Sequence, residues 1–193
     1  IDLYQLHTRD PAVPLHESIG ALRELHDQGK VRWIGLSNVT VTEIELARTI
    51  APVQSVQNEL SLLHQDAAKV GPIARLERRG VFALRQLRRL AGEPFQSGVL
   101  AHCERLGLGF VASSPLGGHQ MQRLAAQPAL QRIASERESS VHAVAIAWVL
   151  AQGRAVIPIP SARTIAHATD TLKAASLMLT EQELAALERG RVG

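Results

Sequence analysis

Only one cysteine, Cys103, occurs among the 193 residues, so no internal disulfide can form, and a reducing compartment, the cytoplasm, is the simplest setting. No apolar run approaches the ~20 residues that a membrane helix needs, and the first residues have neither a basic nor an apolar leader stretch. No membrane partner is expected. Aromatic residues make up 3% of the chain, too few to interleave with basic residues as nucleic-acid binders do, so no nucleic-acid partner is expected either. No strand-like segment is followed by a G-x-G-x-x-G turn, which leaves a Rossmann cofactor site without support. What is present is an apolar content of 46% and a net charge of +3 with a pI near 9.6, carried mostly by arginine. This composition suits one globular domain over residues 1–193, either receptive to phosphate-bearing ligands or simply kept soluble.

Short apolar strands alternate with amphipathic helices. "IDLYQLH" reads as a buried strand, and "PLHESIGALRELHDQGK" places Leu15, Ile19, Leu22 and Leu25 at helical spacing before Gly29. "VRWIGLS", "PVQSVQNELSLL", "GFVASSPL" and "AVIPIPS" read as further strands, with Thr40 or Thr42 capping the helix "VTEIELARTIA". "VLAHCERLG" and the stretch from about Pro128 onward read as helices. Val141, Val144, Ala145, Trp148 and Val149 make one broad apolar face in "SSVHAVAIAWVLAQG". "LTEQEL" has the form of a capping box from Thr180 to Glu183. Repeated βα units with near-continuous apolar strands predict a parallel sheet covered by helices, with functional groups at the strand C-terminal ends. Five such strands could make an open sheet or part of a (β/α)8 barrel, which needs eight.

The ordered motifs "DLYQLH", "GKVRWIGLSN", "VQSVQNELSLL", "GLGFVASSPLGG" and "VIPIPSARTIAHATD" resemble the C-terminal five βα units of the aldo-keto reductase family. The resemblance implies an α/β fold, a partial TIM-type (β/α)8 barrel with parallel strands four to eight and surrounding helices. It also implies NADP(H)-dependent reduction of aldehydes or ketones, hence a small carbonyl substrate, without a metal.

His7 matches the family's active-site histidine, which orients the carbonyl and donates a hydrogen bond to the developing oxyanion. An arbitrary histidine at a strand end is more often satisfied by a neighbouring loop. Ser37 and Asn38 match the pair that holds the nicotinamide carboxamide, although both residue types also serve before a helix as caps. Gln57 matches the glutamine that helps fix the same amide, and a polar residue inside an apolar strand needs a partner in any case. Ser114 and Leu116 fall in the segment that wraps the pyrophosphate, while Ser113 stands where many members carry a ring-stacking aromatic. Ser161, Arg163, His167 and Asp170 fall in the region that grips adenosine and its 2′-phosphate. Arginine suits that phosphate through charge-assisted bonds, yet Ser161 and His167 replace more basic residues, which keeps NAD as the alternative to NADP.

The family's catalytic tyrosine, lysine and aspartate belong to its first three βα units, and the only tyrosine here, Tyr4, falls on the opposite strand face from His7. Lys30, Lys69 and Lys173 do not match either. One further departure is "GPIARLERRGVFALRQLRRLAGEPFQSG", a basic amphipathic insertion at about 70–97, in which Val81, Leu84, Leu87 and Leu90 recur at helical spacing. Its plain reading is a solvated helix on the exterior; the alternative is a helix that covers exposed sheet edges. Two functions therefore stand side by side. One is the C-terminal part of a reductase completed by other units; the other is a non-catalytic descendant serving as a cofactor-binding or protein-interaction module. In either case open strand edges predict self-association or a completing chain.

Overall fold

The computed structural model describes residues 1–65 and 98–189, so the basic segment read as an insertion lies outside the described residues. Its elements are β1 (Leu3–Leu6), α1 (Leu15–Asp27), β2 (Trp33–Ser37), α2 (Val41–Ile50), β3 (Val53–Glu59), α3 (Val99–Leu106), β4 (Gly109–Ser113), α4 (Met121–Ala125), α5 (Pro128–Glu136), α6 (Val141–Leu150), β5 (Val156–Pro158), α7 (Ile165–Lys173) and α8 (Glu181–Arg189). The strands stand in sequence order, β1-β2-β3-β4-β5, as a parallel sheet with surrounding helices.

Two compact units make up the fold: one from Ile1–Asn58 with the described part of Asp66–Val111, the other from Glu59–Gln65 with the described part of Ala112–Gly193. In the first unit Ile34, Leu36, Ile44, Val56, Cys103 and Phe110 are fully buried. Thr40 rather than Thr42 caps α2, in a complete capping box with Glu43. Burial pushes the Cys103 thiol up to about 12, which leaves it an inert core residue. His102 is also buried, with Arg105 2.8 Å from Nδ1 and the Glu45 carboxylate 2.7 Å from Nε2. Burial holds this imidazole below its ordinary pKa.

The reading of β1 as a buried strand is corrected by the structure. β1 is a sheet edge, and Ile1, Leu3 and Tyr4 beside and within it are 73%, 43% and 45% exposed. An apolar sequence marks a surface that suits burial; it does not supply the covering layer.

Between β1 and β3 the first unit narrows at Gly35. The Gln5 side-chain amide donates to Ser55 Oγ at 3.2 Å across this glycine, and an added Cβ would lie 2.5 Å from Ser55 Oγ and 2.6 Å from Gln5 Cγ. We expect Gly35→Ala to cost about 1–3 kcal/mol through overpacking, read as a lower urea midpoint at unchanged slope.

In the second unit, α6 does not present one broad face. Every residue from Ala143 to Val149 is buried, so the helix is enclosed on all sides, as expected for a segment apolar all round. Part of this core is Ala143, Ile146, Ala147 and Ala174, with Leu116, Leu150, Leu177 and Leu179 packed against it. The short α4 precedes Pro128, where the sequence pattern marks no helix, because five residues cannot display a helical period.

The Thr180–Glu183 capping box is formed, and Arg137 donates to both oxygens of Glu183 at 2.7 Å. That guanidinium holds the Glu183 carboxyl at about 2, below its ordinary 4.5. A depressed carboxyl adds stability above its unfolded pKa and loses it as pH falls through the folded one. Stability should therefore drop between about pH 4.5 and about pH 2. In urea titrations, Glu183→Gln should flatten this part of the acid limb.

Candidate active site

In the first unit, β1, β2 and β3 run parallel and end side by side, which brings His7, Ser37, Asn38 and Gln57 together. Asn38 ties the three ends. Its backbone N–H donates to the Gln57 carbonyl at 2.9 Å, and its Nδ2 donates to the His7 carbonyl at 3.0 Å and to Ser37 Oγ at 3.2 Å. To do so Asn38 adopts φ 57°, in the left-handed region, which asparagine tolerates better than most residues. Ser37 is buried and Gln57 half-buried, whereas the imidazole of His7 sits on an exposed residue just past the end of β1.

The residue with a demonstrable structural task on β3 is Asn58, which sequence reasoning passed over in favour of Gln57. Asn58 is 0% exposed; its Oδ1 accepts from Val39 N–H at 3.1 Å and its Nδ2 donates to the Val39 carbonyl at 2.8 Å. The signal was there in the alternation, since Asn58 interrupts the buried face of Val56 and Leu60.

In the second unit, Ser114 follows β4 with φ 49°, again left-handed, and its carbonyl accepts from Gly117 N–H at 2.8 Å. Leu116 packs on the α6 core rather than standing free. After β5, Ser161, Arg163 and His167 are all exposed around the first turn of α7, where Thr164 Oγ1 caps the His167 N–H at 3.2 Å. Asp170 is already engaged: Ser140 Oγ donates to its carboxylate. Among the described residues, no three His, Cys, Asp or Glu side chains are grouped as a metal site requires.

The family model for the aldo/keto reductase family matches residues 1–88 and 90–190. The chain belongs to this family. The match runs through most of the segment at about 70–97. An uncharacterized oxidoreductase of Schizosaccharomyces pombe is 28% identical over 190 residues, covering 97% of this chain and 51% of the relative. Among solved structures, a thermostable aldo-keto reductase in complex with the inhibitor epalrestat superposes with a TM-score of 0.74 at 26% identity, over 99% of this chain and 60% of that one. An aldo-keto reductase from Klebsiella pneumoniae, solved with NADPH, shares the fold at a TM-score of 0.75 and 24% identity, over 98% of this chain and 58% of that one. This family member spans about half the length of the curated relatives it matches. No helix among the described residues is long and apolar enough to cross a membrane.

Proposed function

We propose that this chain forms the cofactor-binding and carbonyl-orienting part of a cytoplasmic NADP(H)-dependent oxidoreductase that reduces aldehydes or ketones. The observation that carries the reading is backbone strain at strand ends. Two of the non-glycine residues with positive φ among those described, Asn38 and Ser114, directly follow β2 and β4. Both are positions that the family resemblance gives to the cofactor. Left-handed conformations cost roughly 1–2 kcal/mol for ordinary residues, persist only where the surrounding structure over-determines them, and cluster at active sites and ligand clamps. In this reading Ser37, Asn38 and Gln57 receive the carboxamide, Ser114 and Leu116 flank the pyrophosphate, and Ser161, Arg163 and His167 meet the adenosine end. His7 orients the carbonyl oxygen, and βα units outside residues 1–193 supply the proton donor.

NADPH titrated into the chain in a calorimeter should bind, and Arg163→Ala should weaken it about tenfold, with a smaller effect on NADH. The absence of NADPH binding would remove the reading; equal losses for both cofactors would remove the assignment of Arg163 to the phosphate.

A second reading, a non-catalytic interaction module, is favoured by the sheet edges. Ile157 and Ile159 in and beside β5 are 56% and 46% exposed, as β1 is at the other edge. Exposed apolar edges of a parallel sheet suit a completing chain or a second copy. NADPH binding without hydride transfer in any assembled form would favour this module.

A further inference from the structure

The loop after His7 is fastened at two points, both belonging to the β2–α2 segment. The first is the bond from Asn38 Nδ2 to the His7 carbonyl, which also accepts from Thr8 Oγ1 at 2.8 Å. The second lies two residues on, where Arg9 NH1 stands 3.3 Å from Glu43 Oε1. Glu43 is a firm anchor because it is 6% exposed and held on its own helix. Its Oε2 accepts from both the backbone N–H and the hydroxyl of Thr40 at 2.9 Å. Beyond Arg9 the loop closes on Asp10, whose Oδ1 accepts from Ala12 N–H at 2.8 Å and whose carbonyl accepts from Val13 N–H at 3.1 Å.

His7 therefore sits at the start of a short loop with little freedom on either side of Arg9. The His7 ring itself is exposed, so its placement rests on the backbone that carries its Cα–Cβ bond. We propose that Arg9 and Glu43 are positioning residues for His7. Their ion pair fixes the chain two residues beyond it and so sets the position from which the ring extends. The functional meaning of this strap rests on the reading of His7 as the carbonyl-orienting group.

The geometry is tested on the 193-residue chain itself, from the ring cross-peaks of its histidines in long-range proton–nitrogen NMR spectra, with His7 assigned by their loss in His7→Gln. In Arg9→Met the His7 cross-peaks should move by several line widths and broaden, while those of His26 and His102 stay in place. Arg9→Lys, which keeps the charge, should restore the native positions. Glu43→Gln, which can still accept from Thr40, should reproduce the Arg9→Met pattern. Unmoved His7 peaks in Arg9→Met and Glu43→Gln would overturn the inference, as would equal displacement of all histidine peaks. NADPH titration of the same samples separates the two readings. Displaced His7 peaks with no NADPH binding to the native chain uphold the strap and overturn only the reductase reading.

Discussion

Hydride transfer from labelled NADPH to an aromatic aldehyde is expected to run about 10²–10⁴-fold slower with this chain alone than with the same chain fused behind the first three βα units of a family member. The factor is that of a missing general acid. The one tyrosine, Tyr4, stands on the exposed edge strand β1, three residues before His7, so alternation turns it to the other face. Of the lysines, Lys30 lies in the turn before β2, where its carbonyl accepts from the Ile1 amine, and Lys173 closes α7. Lys30 thus stands at the start of β2, the end opposite to His7, Ser37 and Gln57. His7 can still donate to an oxyanion, but without a proton donor the alkoxide must be protonated by water. Equal rates for the two proteins would overturn the assignment of the acid to other units. A fused protein that binds NADPH yet stays as slow as the chain alone would overturn the oxidoreductase reading.

Asn58→Ala is expected to cost about 2–4 kcal/mol, because it strips partners from both the N–H and the carbonyl of buried Val39. Each orphaned backbone group carries a desolvation penalty of roughly 1–3 kcal/mol, and loop relaxation toward water recovers part of it. Asn58→Asp should cost a comparable amount, since it loses the donor to the Val39 carbonyl and adds a buried charge. Urea denaturation measures both. A loss below about 0.5 kcal/mol for Asn58→Ala would mean that the Val39 backbone finds other partners, and that Asn58 does not clamp the end of β2.

The pattern of strands and helices was legible because each element carries its own period. Leu15, Ile19 and Leu22 are spaced as a helix, and they are buried as one. Thr180 and Glu183 advertised their capping box by spacing alone, whereas the choice of Thr40 over Thr42 for α2 needed the structure. The exposure of β1 was not legible, because it depends on what lies beside the strand rather than on the strand. The enclosure of α6 was half legible: its sequence shows no polar face, but a helical wheel invites the choice of one.

At the site, the family resemblance pointed to His7, Ser37, Asn38 and Gln57, and the structure brings these together where β1, β2 and β3 adjoin. The roles of neighbours were harder to read. Asn58 differs from Gln57 by one position; alternation puts it on the buried face, and the bonds to the Val39 backbone show what it does there. The engagement of Asp170 by Ser140 joins residues 30 apart in sequence, a pairing no local pattern encodes.

The conformation of Asn38 also limits what evolution can place there. Glycine would accept φ 57° freely but would drop the tie to His7, and aspartate would accept it but offers an acceptor where a donor is needed. A β-branched residue would lose on both counts. Asparagine is the side chain that meets the backbone demand and the hydrogen-bond demand at once, so a substitution here would disturb three strand ends together.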